Sequence, residues 1–200
     1  MSTSDRSAYH HGDLRASLLA TAMRMLEAGE TFSLRAVARE AGVSPTAPYR
    51  HFTDRDALES ALAAQGLRDL AADLGGDREL PRTPAELGDL AVAYVEFAMR
   101  RPALFRVMFT NACDEGSAER VEAATRIRTL LRSAASSVFP DSDPEALASA
   151  GWSLAHGMAY LHIDGKLPYD SPDDVAARVR AALSAIVGAA APALNEGARS

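Results

Sequence analysis

The sequence predicts an all-α protein of about nine helices, on three observations. No segment alternates apolar and polar residues with β-branched enrichment, so nothing reads as a strand. Apolar residues recur instead at helical spacing, as in Leu34, Val37, Ala38 and Ala41 at i, i+3, i+4 and i+7. Helix punctuation also divides the chain, with Ser33, Thr83-Pro84, Asp143-Pro144 and Ser171-Pro172 at starts and Gly29 and Gly42 at ends.

Residues 1–12 are polar and are expected to form a flexible arm, with Arg6, Tyr9, His10 and His11 in reach of a minor groove. The two adjacent histidines diverge on any regular element and have no third ligand nearby, so no metal site is expected. The first helix, about 13–28, presents Leu14, Leu18, Ala22, Met25 and Leu26 as one stripe and reads as scaffold. Residues 32–52 form two short helices joined by a tight turn. Ser33 caps the first, Phe32 is placed to staple against Val37, Gly42 takes the left-handed position at the end and Val43 plugs the turn. Ser44 and Pro45 restart a helix as N-cap and first residue. Pro48 then falls in the first turn, where it removes a hydrogen bond to the Ser44 carbonyl. Either the front of this helix is loosened or it begins nearer Ala47.

A helix-turn-helix of this kind offers the front of its second helix to the major groove. Thr46 and Ala47 are the base-reading candidates, with Ser44 beside them: Thr can hydrogen-bond a base, and both Thr46 and Ala47 can place a methyl group on thymine. Arg50 has the reach for phosphate or guanine. Arg35 and Arg39 lie off the buried face and are expected to be solvated or ion-paired.

Thr53-Asp54-Arg55-Asp56 starts a connecting helix, 58–74, with Leu58, Leu62, Leu70 and Leu74 on one face. Gly66 lies in the gap of that series, as a close-packing point or a hinge. Gly75 to Pro81 breaks the periodicity and marks the boundary between the head, 13–57 with its connecting helix, and a second domain at 83–191. There, one helix turns Leu87, Leu90, Ala91, Tyr94 and Phe97 inward. Pro102 restarts a short helix carrying Leu104, Phe105, Met108 and Phe109. A mixed helix comes next, 117–138, with Val121, Ala124, Leu131 and Val138 inside. The last two helices are rich in small residues, Ala148 to Gly151 and Ala176, Ala177, Ala181 and Ala182, which suits close helix approach across a dimer. Residues 192–200 are expected to fray.

The residues Leu-Arg-Ala-Val-Ala-Arg-Glu-Ala-Gly-Val-Ser, with Tyr-Arg-His-Phe and Asp-Arg-Asp-Ala-Leu after them, resemble the TetR-like bacterial transcription regulators over about 9–75. The second half resembles, more loosely, a C-terminal domain of that family with a Trp-His-Gly signature, here Trp152, His156 and Gly157. The resemblance implies a head at the N-terminus, then a helical ligand-binding and dimerisation domain. It implies backbone contacts from Tyr49 and His51, and a phosphate contact from Arg55, where the family often has Lys. It further implies a homodimer through the last two helices, a palindromic double-stranded DNA operator and a small-molecule effector that moves the connecting helix, usually to relieve repression. The candidate pocket residues are Phe97, Phe105, Met108, Phe109, Trp152, His156 and Tyr160, with His156 either an orienting polar group or a core histidine. The same fold without operator binding, or an activator, are the alternatives.

Composition bounds these readings. Two hundred residues can bury roughly 70% of the surface the unfolded chain exposes. The lone Cys113 allows no internal disulfide, and no signal peptide or long apolar run is visible, which points to a reducing, cytoplasmic setting without a membrane partner. Net charge is −6, adverse to nonspecific DNA binding, but the first 55 residues are nearly balanced, with seven arginines against six carboxylates. No phosphate-binding glycine loop, nucleophile elbow, His-Glu-x-x-His or Glu-x-x-His pair occurs, so neither catalysis nor a cofactor is expected.

Overall fold

A computed structural model describes residues 4–31, 33–75, 79–110 and 116–190. They form eight α-helices and one 3₁₀ turn, with no strand among them: α1 (Ser4–Glu27), α2 (Leu34–Glu40), the 3₁₀ turn (Ala47–Arg50), α3 (Arg55–Asp73), α4 (Pro84–Arg100), α5 (Pro102–Thr110), α6 (Ala118–Val138), α7 (Pro144–Ile163) and α8 (Pro172–Ala190). The expected Phe32 staple, Cys113 and the frayed tail at 192–200 lie outside the described residues.

Helix α1 starts at Ser4, not near residue 13, so the stretch expected to be a free arm is helical from there on. A polar run has no apolar stripe to signal a helix, yet it can extend one already nucleated, because each added residue gains a hydrogen bond without a new nucleation cost.

The chain groups into two compact units, residues 1–69 with 101–125 and residues 70–100 with 126–200. In the first, Leu18, Ala22, Val37, Phe52, Leu58 and Leu62 form the centre of a core, with Leu14, Leu26 and Val43 packed at its edge. Each fully buried Leu or Phe of this set contributes about 1.5–3 kcal/mol relative to exposure. The helical stripes thus set the angle of α2 and of the turn beyond it.

Helix α5 belongs to this first unit and packs on α1. It also meets α3 at Gly66, where a β-carbon would lie 2.6 Å from Met108 Sδ and 3.1 Å from Leu104 Cδ1. α3 runs unbroken through Gly66, and this glycine is a point of close helix approach. Arg101 ties the unit together, donating from Nε to Glu27 on α1 (2.6 Å) and from Nη1 to Asp69 on α3 (2.6 Å). Arg120, at the start of α6, is buried and donates from Nη2 to the Met108 carbonyl at 3.1 Å.

That buried arginine corrects the phase expected for α6. Arg120, Ala123, Ile127 and Ala134 form the inward stripe, whereas Val121 is 37% exposed. An apolar tally misses this because the aliphatic stem of an arginine can be buried once its head finds a backbone acceptor.

In the second unit α4 is the central helix, packed against both α7 and α8. Its buried face is Ala91, Val92, Tyr94, Val95, Phe97 and Ala98. Thr83 caps it by accepting from the Glu86 N–H at 3.2 Å, and the Glu86 carboxylate reaches back to the Arg82 N–H. Asp143 caps α7 by accepting from the Glu145 and Ala146 N–H groups, and Ser171 caps α8 by accepting from Asp174 N–H. α8 buries Val175, Ala176, Val179 and Leu183.

Gly66→Val is expected to lower the unfolding free energy by about 2 kcal/mol, from overpacking against α5. In urea unfolding, its cost combined with that of Met108→Ala should fall short of the sum of the two single changes. Additive losses would mean that Gly66 and Met108 are not in contact.

Candidate functional site: a DNA-reading turn and a bundle cavity

The reading head is built from residue 33 onward. Ser33 Oγ accepts from the Ala36 N–H at 3.2 Å and starts α2. The helix ends in a Schellman turn: Gly42, at φ +68°, donates to the Arg39 carbonyl, and Val43 donates to the Ala38 carbonyl at 2.9 Å. Only glycine takes that backbone conformation cheaply, so the direction of the chain after α2 depends on residue 42.

Beyond Val43 the chain does not form the α-helix expected from a Ser44 cap. The Ala47 N–H donates to the Ser44 carbonyl at 3.0 Å, a 3₁₀ bond, and a single 3₁₀ turn runs from Ala47 to Arg50. Thr46 is its N-cap residue and makes no side-chain cap bond; its hydroxyl lies 3.3 Å from that of Ser44. Pro48 is the reason. It has no N–H to give the Ser44 carbonyl, and its ring crowds an α-helical carbonyl at that place.

Pro48 is also an anchor. Its ring is buried, and its carbonyl accepts from both His51 and Phe52 N–H at 2.9 Å. Phe52 is buried in the core, with the Arg15 guanidinium carbon 5.5 Å from its ring centroid. Asp54 then caps α3, accepting from Ala57 N–H at 2.8 Å. The four-residue spacing of Pro48 and Phe52 is the signal in the sequence for this anchor.

Around the anchors the predicted DNA-contact residues fall on one short stretch, 44–55. Ser44, Thr46, Tyr49, Arg50 and Arg55 are exposed, Tyr49 by 49%; Ala47 and His51 are half-buried, with the His51 Nε2 closed off from solvent. Arg55 pairs with Glu59 one turn along α3 at 2.7 Å. Arg35, Arg39 and Arg50 are exposed and have no ion-pair partner among the described residues.

The second unit contains an apolar cavity of about 70 Å³. Leu74, Leu87, Leu90, Tyr94, Leu131 and Trp152 are prominent in its wall. Tyr94 is the polar centre. Trp152 Nε1–H donates to its hydroxyl at 3.0 Å, and that hydroxyl lies 2.9 Å from His156 Nδ1. Indole nitrogen can only donate, so the Tyr94 oxygen accepts from it, while the direction of the bond between that hydroxyl and Nδ1 follows the imidazole tautomer. Burial raises the Tyr94 pKa far above the ordinary range, keeping the phenol protonated. Burial lowers that of His156, favouring the neutral imidazole. Tyr160 stands edge-on to His156 with ring centroids 5.0 Å apart.

Of the pocket residues read from the sequence, Trp152, His156 and Tyr160 lie together, and Trp152 lines the cavity. Phe97 is buried in the same unit, outside that lining. Phe105, Met108 and Phe109 belong to α5 in the first unit, with Phe105 and Phe109 rings 4.9 Å apart. The sequence marks Tyr94 only as an inward residue of α4; a tyrosine in an apolar stripe needs a partner for its hydroxyl, and that is the signal for its role. Among the described residues no three His, Cys, Asp or Glu side chains gather as a metal set, and no helix is long and apolar enough to cross a membrane.

A helix-turn-helix head joined to a helical domain with an internal cavity defines a class of DNA-binding regulators. The match to known families makes this specific. Residues 18–62 match the model for bacterial regulatory proteins of the tetR family, and residues 87–197 match the tetracyclin repressor-like C-terminal domain. The chain belongs to the TetR family of transcriptional regulators.

Among solved structures it is similar to a protein of unknown function from Rhodococcus sp. RHA1, at 34% identity over 88% of this chain and 95% of that one, with a TM-score of 0.74. A candidate TetR-family transcriptional regulator from Rhodococcus sp. shares the fold at 19% identity, covering 86% and 97% of the two chains, with a TM-score of 0.62. A candidate fatty acid metabolism regulator from Clostridium perfringens shares it at 12% identity, covering 84% and 96%, with a TM-score of 0.61.

The burial of His156 carries a pH dependence. His156 has a folded-state pKa below its ordinary 6.5, so the unfolded chain binds more protons as pH falls through that value. Its contribution is fully present above about pH 7 and lost on acidification towards the lowered pKa; His162, shifted the same way, adds to the trend. Urea unfolding at pH 7.5 and pH 5.5 should show a smaller stability loss for His156→Gln than for the unaltered chain. Equal losses would remove His156 from the account.

Proposed function

We propose that this chain is a homodimeric, non-catalytic transcriptional regulator of the bacterial cytoplasm that reads a roughly palindromic operator and is released from it by a small molecule. One observation carries the DNA reading: a single turn, pinned by buried Pro48 and Phe52, that exposes Thr46, Tyr49 and Arg50. Thr46 and Ala47 contact base edges, with Ser44 beside them at the front of the turn. Arg50 and Tyr49, with His51 and Arg55 flanking, position the head on phosphates. Two heads on one face of the duplex read half-sites about 34–36 Å apart, or a geometric relative of that spacing.

Two features of the last helices support the dimer. Leu161 on α7 and Ile186 on α8 are 44% and 45% exposed, and Gly157 is exposed with open space where a β-carbon would stand. Apolar and small residues on adjacent helices fit a four-helix interface between two copies. The effector occupies the cavity lined by Tyr94 and Trp152. Release requires that it bind the DNA-competent and DNA-incompetent states with different affinity, and repression is the usual outcome in this family.

Selection from a random duplex library at moderate salt tests the reading, and a palindromic motif is the expected result. Arg50→Ala should weaken binding evenly across sequences and reduce the salt dependence by about one counterion, with the dimer intact in sedimentation. Leu161→Glu should give monomers and lose operator binding. A folded, dimeric protein that enriches no motif would overturn operator binding.

A further inference from the structure

We propose that the effector is a compact, uncharged, predominantly hydrocarbon molecule, and that it is accommodated by widening the cavity between α4, α6 and α7. This rests on the reading of that cavity as the effector site, and narrows the ligand by what the walls can satisfy. Among the described residues, no charged side chain lines the cavity. Its two polar groups are already engaged: Trp152 Nε1–H is given to Tyr94, and the Tyr94 hydroxyl shares a hydrogen bond with His156 Nδ1. A carboxylate, phosphate or ammonium placed inside would lose its water and find no counter-charge, which is the most expensive form of burial. Even His156, the imidazole at the end of this line of bonds, is held neutral by burial.

The surroundings disfavour anions further. Leu74 and Leu90 also line a neighbouring groove that carries Asp73, Glu79, Glu86 and Asp89. Asp73 pairs with Arg100, Glu79 with Arg82 and Asp89 with Arg180, so these carboxylates are partly neutralised and offer no strong claim on a cation either.

Size sets the second half of the proposal. An apolar cavity of ~150 Å³ holds benzene. At about 70 Å³ this one has room for only a few heavy atoms as it stands. A ring-sized occupant therefore selects a state in which the helices around Trp152 stand further apart. That preference for one state over another is what an effector needs in order to shift an equilibrium. The lining at Gly151 is where bulk can be added without collision, since a β-carbon there meets nothing within 4 Å, and Ala148 stands in the same wall.

The test uses the full chain, with benzene, toluene and indole as neutral probes and benzoate and benzylamine as their charged counterparts. Thermal unfolding and direct titration are read for each, and operator binding of the unliganded protein is measured separately. The neutral probes should raise the melting temperature and bind saturably, the charged pair should do neither, and Ala148→Leu should weaken toluene at least tenfold. Gly151→Leu serves as a second filling variant should the first fail to fold. Stabilisation by benzoate or benzylamine equal to that by toluene would overturn the ligand class, as would no response to any probe, or toluene binding unchanged in a folded filling variant. In each of those cases, intact operator binding would leave the regulator reading standing.

Discussion

The DNA-reading head depends on one constraint: the chain between α2 and α3 is fastened at both ends, and the stretch left between the fasteners is short. Gly42 sets the direction in which the backbone leaves α2, and the Schellman bonds hold it there. Pro48 and Phe52 then sink into the first unit, with the Pro48 carbonyl taking two N–H donors. A reading element of one 3₁₀ turn has little helical stability of its own, because short helices gain too few hydrogen bonds to offset nucleation. Its order comes from the side chains at its edges. A rigid display of few groups also lowers the conformational entropy lost when DNA is bound.

The second unit solves a different problem, that of keeping polar groups inside an apolar bundle. Trp152, Tyr94 and His156 form a hydrogen-bonded line, and the line ends on an imidazole that burial favours in its neutral form. Removing a single member would strand a buried donor or acceptor, which costs more than the bond itself contributes. The relay therefore fixes the relative rotation of α4 and α7 as well as satisfying their polar groups.

Much of this is legible in the sequence because it obeys local rules. Ser33, Asp143 and Ser171 announce helix starts through hydroxyl or carboxylate caps, and the Leu18 and Val37 part of the core comes from helical spacing alone. The expectations that shift are those in which an unlike neighbour decides. Proline at position 48 reads as a disruption along the chain and as a plug across it. Arg120 reads as surface until the Met108 carbonyl is seen to receive it. The extension of α1 back to Ser4 has no apolar pattern to announce it. Tyr94 and His156 are 62 residues apart, so no local pattern can pair them, whereas His156 and Tyr160 share a helix face one turn apart. The candidate residues of the head are readable because they lie together in one short stretch, and the polar centre of the cavity is not, because it is assembled from two helices distant in sequence.

The placement of Trp152 has an optical consequence. It is the only tryptophan in the chain, and it stands in the cavity wall with its indole N–H on a phenol and an imidazole 6.3 Å from its ring centroid. All indole emission from the protein therefore originates at one side of one cavity. Its wavelength reports the polarity of that space, and its intensity reports the charge state of His156, since a protonated imidazole quenches a neighbouring indole more strongly than a neutral one. The molecule thus carries its own spectroscopic window on the interior of its C-terminal bundle, with no competing chromophore of the same kind elsewhere in the chain.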